Sequence, residues 1–308
     1  MPDSPSISPA VAARGLPFCK LTAAGNDFLC VDNSDGRHDA LFTGPAAPEV
    51  VRRLCRHGLG VGADGVIVAR RLPRHPLADV QARFLEPDGS EAELCGNGTA
   101  CCAAWWLEHM EPGLDAVTLL TAAGMARGRR STEGGGRIRV CIPQPRDLQP
   151  EETVEVEGRT WTLTRLTIGV PHAMVFVDDV GPLDVARWGG LLRWHPRFAP
   201  RGINVNFTQV LGEGEIAVRT FEFGVEAETL ACGTGSASAA IITTLARGWN
   251  SGLRSGETPV LVQVRGGETL KVWFEVRGAP VEVTDVCLET RVRTVYDGVV
   301  RPQFLTGG

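Results

Sequence analysis

Two stretches decide the reading of this chain: EAELCGNGTACCAAWW at residues 91–106 and EAETLACGTGSASAAII at residues 226–242. Each runs from an acidic turn through Cys-Gly-x-Gly into about ten small, mostly apolar residues. Such a run has no charged face to offer water, so it fits a helix packed inside a sheet or barrel. The cysteines, Cys95 and Cys232, sit close to half a chain length apart in 308 residues. That spacing predicts two domains of one architecture, each holding a buried helix that starts at a cysteine.

Around these two runs the pattern is strand-rich. Short apolar or alternating segments fall at 27–32, 65–69, 80–85, 116–121, 137–142, 153–156, 160–168, 173–177, 216–221, 259–264, 270–276 and 281–283. Helices are expected only at 47–57, 98–109, 184–194 and 235–247. Many strands with few crossover helices predict an α+β fold with mixed sheets, and the Pro-rich stretch 143–150 marks the expected break.

The chemistry follows from where the cysteines stand. A thiol at a helix N-terminus faces unpaired backbone N–H groups and the positive end of the helix dipole, which favours thiolate. The same amides suit a carboxylate, and the glycines let it come close. Two such ends facing one substrate would let one sulfur remove a proton beside the carboxylate while the other delivers one to the opposite face. The competing reading is a helix-capping turn around a buried, inert cysteine, which two matching copies make less economical.

Composition narrows the classes. With 43% hydrophobic and 22% charged residues the chain can build a core. Lys and Arg total 31 against 36 Asp and Glu, a net charge of −5, and there is one Tyr. A nucleic-acid partner is therefore not expected. No apolar run reaches the ~18 residues of a spanning helix, so no membrane partner is expected either. Residues 1–15 read as a solvated tail and not as a secretory signal, which points to the cytoplasm and to nine cysteines held as thiols. Cys101 and Cys102 lack a CxxC partner and read as packing, with no metal site. Trp105 and Trp106 read as core, GVGADG (60–65) lacks the context of a nucleotide loop, and Arg127–Arg130 reads as a solvated turn.

With AAGNDF (23–28), GVGADG (60–65), DGSEAELCGNG (88–98), GVPHA (169–173), NVNF (204–207), ETLACGTG (228–235) and VYDG (295–298), the chain resembles the diaminopimelate epimerases, pyridoxal-phosphate-independent amino-acid racemases. The resemblance implies two similar domains related by a pseudo-twofold axis, each a curled sheet around a central helix. It places residues 16–141 with 291–308 in one domain and 142–290 in the other. It implies conversion of LL- to meso-diaminopimelate, a step toward lysine and peptidoglycan precursors, on a small amino-acid substrate with no cofactor; a homodimer is compatible with it. By the same resemblance Cys95 and Cys232 are the catalytic thiols, and His172 and Glu222 tune them. Gly96, Asn97, Gly233 and Thr234 hold the reacting carboxylate, and Asn26 and Asn204 bind substrate.

The distal end departs from the family pattern. Phe223 stands where the family has an arginine that grips the far carboxylate, and Glu86 stands where many members have an asparagine. Two alternatives to diaminopimelate follow: a racemase for an amino acid with a cationic side chain, and a non-catalytic amino-acid-binding protein. A different arginine, Arg219 or Arg201, could also take over the distal carboxylate.

Overall fold

A computed structural model describes residues 15–306, so the expected tail lies outside the described residues except for Gly15. The chain divides into two compact units. One is built from the chain up to Ile138 together with the segment from Arg291 onward, and the other is Arg139–Thr290.

In the first unit the strands are β1 (Leu16–Ala23), β2 (Asn26–Asp32), β3 (Gly65–Arg71), β4 (Val80–Leu85), β5 (Glu91–Ala92), β6 (Ala116–Thr121) and β7 (Gly124–Arg130). Neighbours pair as β1–β2 antiparallel, β2–β3 parallel, β3–β4 antiparallel, β4–β6 parallel and β6–β7 antiparallel. Helices α1 (Asp39–Phe42) and α2 (Ala47–Cys55) connect β2 to β3, and α3 (Gly96–Trp105) connects β5 to β6.

Strand β8 (Arg137–Cys141) crosses the boundary between the units. The second unit then carries β9 (Arg146–Val156) and from β10 onward repeats the first unit's order with β10 (Arg159–Ile168), β11 (Val170–Phe176), α4 (Val185–Arg193), β12 (Asn204–Gly212), β13 (Glu215–Glu222), β14 (Ala227–Thr229), α5 (Gly233–Arg247), β15 (Val260–Val264) and β16 (Thr269–Arg277). Its pairings are β10–β11 antiparallel, β11–β12 parallel, β12–β13 antiparallel, β13–β15 parallel and β15–β16 antiparallel. The alternation of antiparallel and parallel pairs is the same in both, and each parallel step is bridged by a helix or helix-bearing connection. Strand β17 (Glu282–Val300) runs on from the second unit into the first, pairing with β16 early and with β1 late.

Both expected inner helices are central to their own units. Helix α3 packs against β1, β2, β3, β4, β6 and β7, and all ten of its residues are buried. Helix α5 packs against β10–β13, β15 and β16 and is buried from Gly233 to Thr244. Strands on every side leave little room, which is why Thr99, Ala100, Cys101 and Cys102 and then Ser236–Ala240 are small; a larger side chain there forces backbone shifts.

The outer face of each sheet carries an amphipathic helix. Val50, Val51 and Leu54 of α2 meet Leu29, Val31, Val66 and Val68, while Glu49 pairs with Arg52 and Arg53 in solvent. Val185 and Leu192 of α4 meet Val205, Phe207 and Phe221.

Two expectations need correction. Arg127–Arg130 is not a turn but the second half of β7: Ala126 and Gly128 face inward and the arginines outward, an alternation with too little apolar volume to read as a strand. The cysteines are not all thiols either, since Cys141 on β8 and Cys287 on β17 form a disulfide. In the stretch expected to break the chain, residues from Arg146 onward belong to β9. No helix among the described residues is long and apolar enough to cross a membrane.

Candidate active site

Each central helix begins on its cysteine. Cys95 and Cys232 have extended backbones at the N-cap, and their Sγ atoms accept the backbone N–H of Gly98 and Gly235, both at 3.4 Å. A sulfur replaces the usual capping oxygen, so each thiol is held on the helix axis, where the first-turn N–H groups stabilise negative charge. The second glycine of each CGxG is demanded by space. A Cβ on Gly98 would press on Phe84 at 3.0 Å, and one on Gly235 would overlap Asn206 Oδ1. Cys95 is half-buried and Cys232 is buried.

In the first unit, Asn26 links the helix start to the strands. Asn97 Nδ2 donates to Asn26 Oδ1 at 2.6 Å, and Asn26 Nδ2 donates to Asp64 Oδ2 at 3.2 Å. Asp64 also accepts the Asp27 N–H, and Lys20 Nζ forms an ion pair with Asp27 at 2.7 Å. Asn26, Asn97 and Cys95 therefore share one neighbourhood. Asp27, Asp64 and Lys20, which sequence reasoning passed over, brace it. Glu86 is half-buried, and its backbone closes the turn onto Ser90 and Gly89.

In the second unit a buried polar chain leads to the sulfur. Thr220 Oγ1 donates to Asn206 Oδ1 (3.0 Å), Asn206 Nδ2 meets His172 Nδ1 (3.3 Å), and His172 Nε2 meets Thr234 Oγ1 (3.1 Å). Thr234 Oγ1 in turn lies 3.6 Å from Cys232 Sγ. Asn206 is another residue the sequence reading missed, although its position two residues after Asn204 puts both on one strand face. Asn204 ties two backbone segments together, accepting the Phe223 N–H at 2.7 Å and donating to the Pro171 carbonyl at 3.3 Å.

Glu222 ends β13, and the Glu226 N–H closes a turn onto its carbonyl. The hydrogen bonds of His172 run to Thr234 and Asn206, so the imidazole reaches Cys232 through Thr234.

Burial pushes the His172 imidazole down to about 3, so the folded protein holds it neutral while the unfolded chain takes up a proton near pH ~6.5. The stability this supplies is complete above that pH and is lost as pH falls toward 3, at about 1.4 kcal/mol per pH unit. Urea midpoints measured against pH should therefore fall more steeply on the acid side in the wild type than in His172→Gln. Equal slopes would show that the buried imidazole accepts a proton in the fold.

Five other free thiols are buried. Burial drives Cys19, Cys55 and Cys102 up to about 12, and Cys30 and Cys101 well above the ordinary thiol range. Cys101 and Cys102 are packing residues of α3, as their isolation in sequence suggests.

Phe223, the position expected at the distal end, has two guanidinium groups beside its ring. The guanidinium carbons of Arg193 and Arg201 lie 4.4 and 5.4 Å from the Phe223 ring centroid. Arg193 is buried, binds Glu226 and donates to the Arg201 carbonyl, whereas Arg201 is exposed. Arg219 is committed elsewhere: both Nε and Nη2 bind Glu228, and Nη1 donates to carbonyls at Val180 and Leu183.

Comparison with known proteins agrees with this construction. The family model described as diaminopimelate epimerase matches residues 18–135 and 164–285. Diaminopimelate epimerase from Aquifex aeolicus is 36% identical over 293 residues, covering 94% of this chain and 99% of the relative. That from Methanocella arvoryzae is 33% identical over 306 residues, covering 94% and 98%. Among solved structures, a probable proline racemase from Agrobacterium radiobacter K84 superposes with a TM-score of 0.70 at 20% identity, covering 94% of this chain and 95% of its own. A hydroxyproline epimerase from Agrobacterium vitis gives 0.68 at 18% identity, covering 93% and 91%, which is likeness of fold. With matched segments that take in both cysteine-capped helix starts and relatives aligned almost end to end, the chain belongs to the diaminopimelate epimerase family.

Proposed function

We propose that the protein is an isomerase that converts LL- to meso-diaminopimelate, with Cys95 and Cys232 as the two bases serving one α-carbon. The observation that carries this reading is the duplicated helix start: two units of the same strand order, each presenting a sulfur that accepts the N–H of the second glycine in CGxG. The names of the relatives supply the substrate.

In the step itself, a thiolate takes the α-proton and the C–H electron pair passes to a carbanion beside the carboxylate. The other thiol then gives its proton to the opposite face. One thiolate and one thiol are present before and after, so no co-reactant is needed. Backbone amides at Gly96, Asn97, Gly233 and Thr234 suit the reacting carboxylate, whose charge rises in the transition state and is best met by fixed dipoles. His172, neutral and hydrogen-bonded to Thr234, positions that hydroxyl near Cys232.

Arg201 receives the distal carboxylate in place of the arginine that Phe223 displaces. Two guanidinium groups beside Phe223 oppose a substrate with a cationic side chain, which weighs against the alternative that Phe223 and Glu86 raised from sequence. The assigned role is tested in heavy water with LL-diaminopimelate at low conversion. Deuterium should appear at the α-carbon of the meso product and not in recovered substrate, because each face has its own acid. Equal labelling of both isomers would replace the two-base reading with a single base, and labelling of neither would leave a binding protein.

A further inference from the structure

A second cluster of ligating side chains lies in the first unit and belongs to neither cysteine-capped helix start. Cys19 on β1, His109 just beyond α3 and Asp297 on β17 each bring one donor atom to a place where all three lie within 4.8 Å of one another. Three separated elements converge there. Cys19 and Asp297 are direct cross-strand partners in the β1–β17 ladder. His109 is delivered by a π-helical turn, Trp106–Met110, in which α3 ends; such wide turns inside helices are uncommon and frequently mark sites. Asp297 is part of VYDG, the motif that the reaction leaves unused.

We infer that these three side chains form a binding site for a zinc-class divalent cation. One thiolate, one imidazole and one carboxylate make a mixed donor set of the kind zinc accepts, with bonds of about 2.0 to 2.3 Å and neighbouring donors roughly 3.5 Å apart. From within 4.8 Å the donors close that gap by about 1 Å. His109 and Asp297 are exposed and have the freedom to do so, while Cys19 is buried beneath them. A fourth position is left toward solvent, with Glu108 Oε2 3.9 Å from His109 Nε2 and itself accepting from Thr294 Oγ1 at 3.3 Å. On binding, the Cys19 S–H proton leaves to solvent and the metal takes its place. The ion would pin the last long strand to β1 and to the end of the central helix, a structural staple at the opposite end of that helix from Cys95.

Cobalt(II) is the probe, because a thiolate–cobalt bond gives a charge-transfer absorption that oxygen and nitrogen donors do not. The full chain is used as Cys95→Ser/Cys232→Ser, so that the band reports on Cys19. One equivalent of cobalt should raise the band, zinc should displace it, and zinc should raise the thermal midpoint. His109→Ala and Asp297→Asn, both at exposed positions, should each weaken cobalt binding by about tenfold or more. If the serine variant folds poorly, the unmodified chain is used, and each of the two substitutions should remove one equivalent of tightly held zinc. Absence of a thiolate–cobalt band, or a band and stoichiometry unchanged by His109→Ala and Asp297→Asn, would overturn the site.

Discussion

Replacing either Cys95 or Cys232 with alanine is expected to abolish inversion of diaminopimelate, with a loss of about a thousandfold or more in kcat, since a positioned acid or base contributes roughly 10²–10⁴ and each sulfur serves in both roles as the direction reverses. The loss should not follow from unfolding. Each cysteine is a cap on a helix whose buried length is held by six strands, so a cap substitution costs about 1 kcal/mol against that packing. Circular dichroism and urea midpoints check this.

The sharper measurement uses Cys→Ser variants and a substrate analogue with fluorine on the carbon next to the reacting one. Removing the α-proton then expels fluoride, and no proton return is needed. The weakened serine variant at one position should eliminate from one stereoisomer of the analogue and the variant at the other position from its mirror configuration. Inversion of the natural substrate by either alanine variant at near wild-type rate, or identical stereoisomer preference in the two serine variants, would remove the two-base assignment.

The repeat was legible because its signal is compositional. A helix without charges, entered through Cys-Gly-x-Gly, has few places to go except inside a sheet, and both copies are there. Most strands were legible, β3 as the short apolar run at 65–69 and β10 by alternation. Strands with an inverted pattern or too little apolar volume were not. Strand β12 alternates Asn204, Asn206 and Thr208 with Val205 and Phe207, so its inner face is polar and its hydropathy pattern is inverted from the usual one. Strand β7 fails for the reason given by Ala126 and Gly128, and β1 because both of its faces are buried in different company.

The same physics hid part of the site. Asn206 reads as a strand polar residue until its amide is found between His172 and Thr220, and Asp64 reads as a loop acid until it is found holding Asn26. The disulfide between Cys141 and Cys287 joins positions 146 residues apart and has no local signature at all.

Arg201→Ala is expected to lower kcat/KM for diaminopimelate by about 10- to 100-fold, the worth of one charge-assisted contact of about 1.5–3 kcal/mol. The departures at Phe223 and Glu86 suggest, from sequence, that Phe223→Arg combined with Glu86→Asn would improve the enzyme, but the two guanidinium groups beside Phe223 argue against a gain. A third guanidinium placed beside Arg193 and Arg201 meets like charge, and Arg193 is already committed to Glu226. In the wild-type background Phe223→Arg should therefore give no gain. In the Arg201→Ala background the same substitution restores a single exposed guanidinium in that neighbourhood and should recover about tenfold. Lysine, which lacks the distal carboxylate, separates charge recognition from damage to the fold: Arg201→Ala should shift the ratio of diaminopimelate to lysine turnover toward lysine, whereas a general disturbance of the loop would lower both together. Undiminished diaminopimelate epimerisation by Arg201→Ala would show that another group holds the far carboxylate.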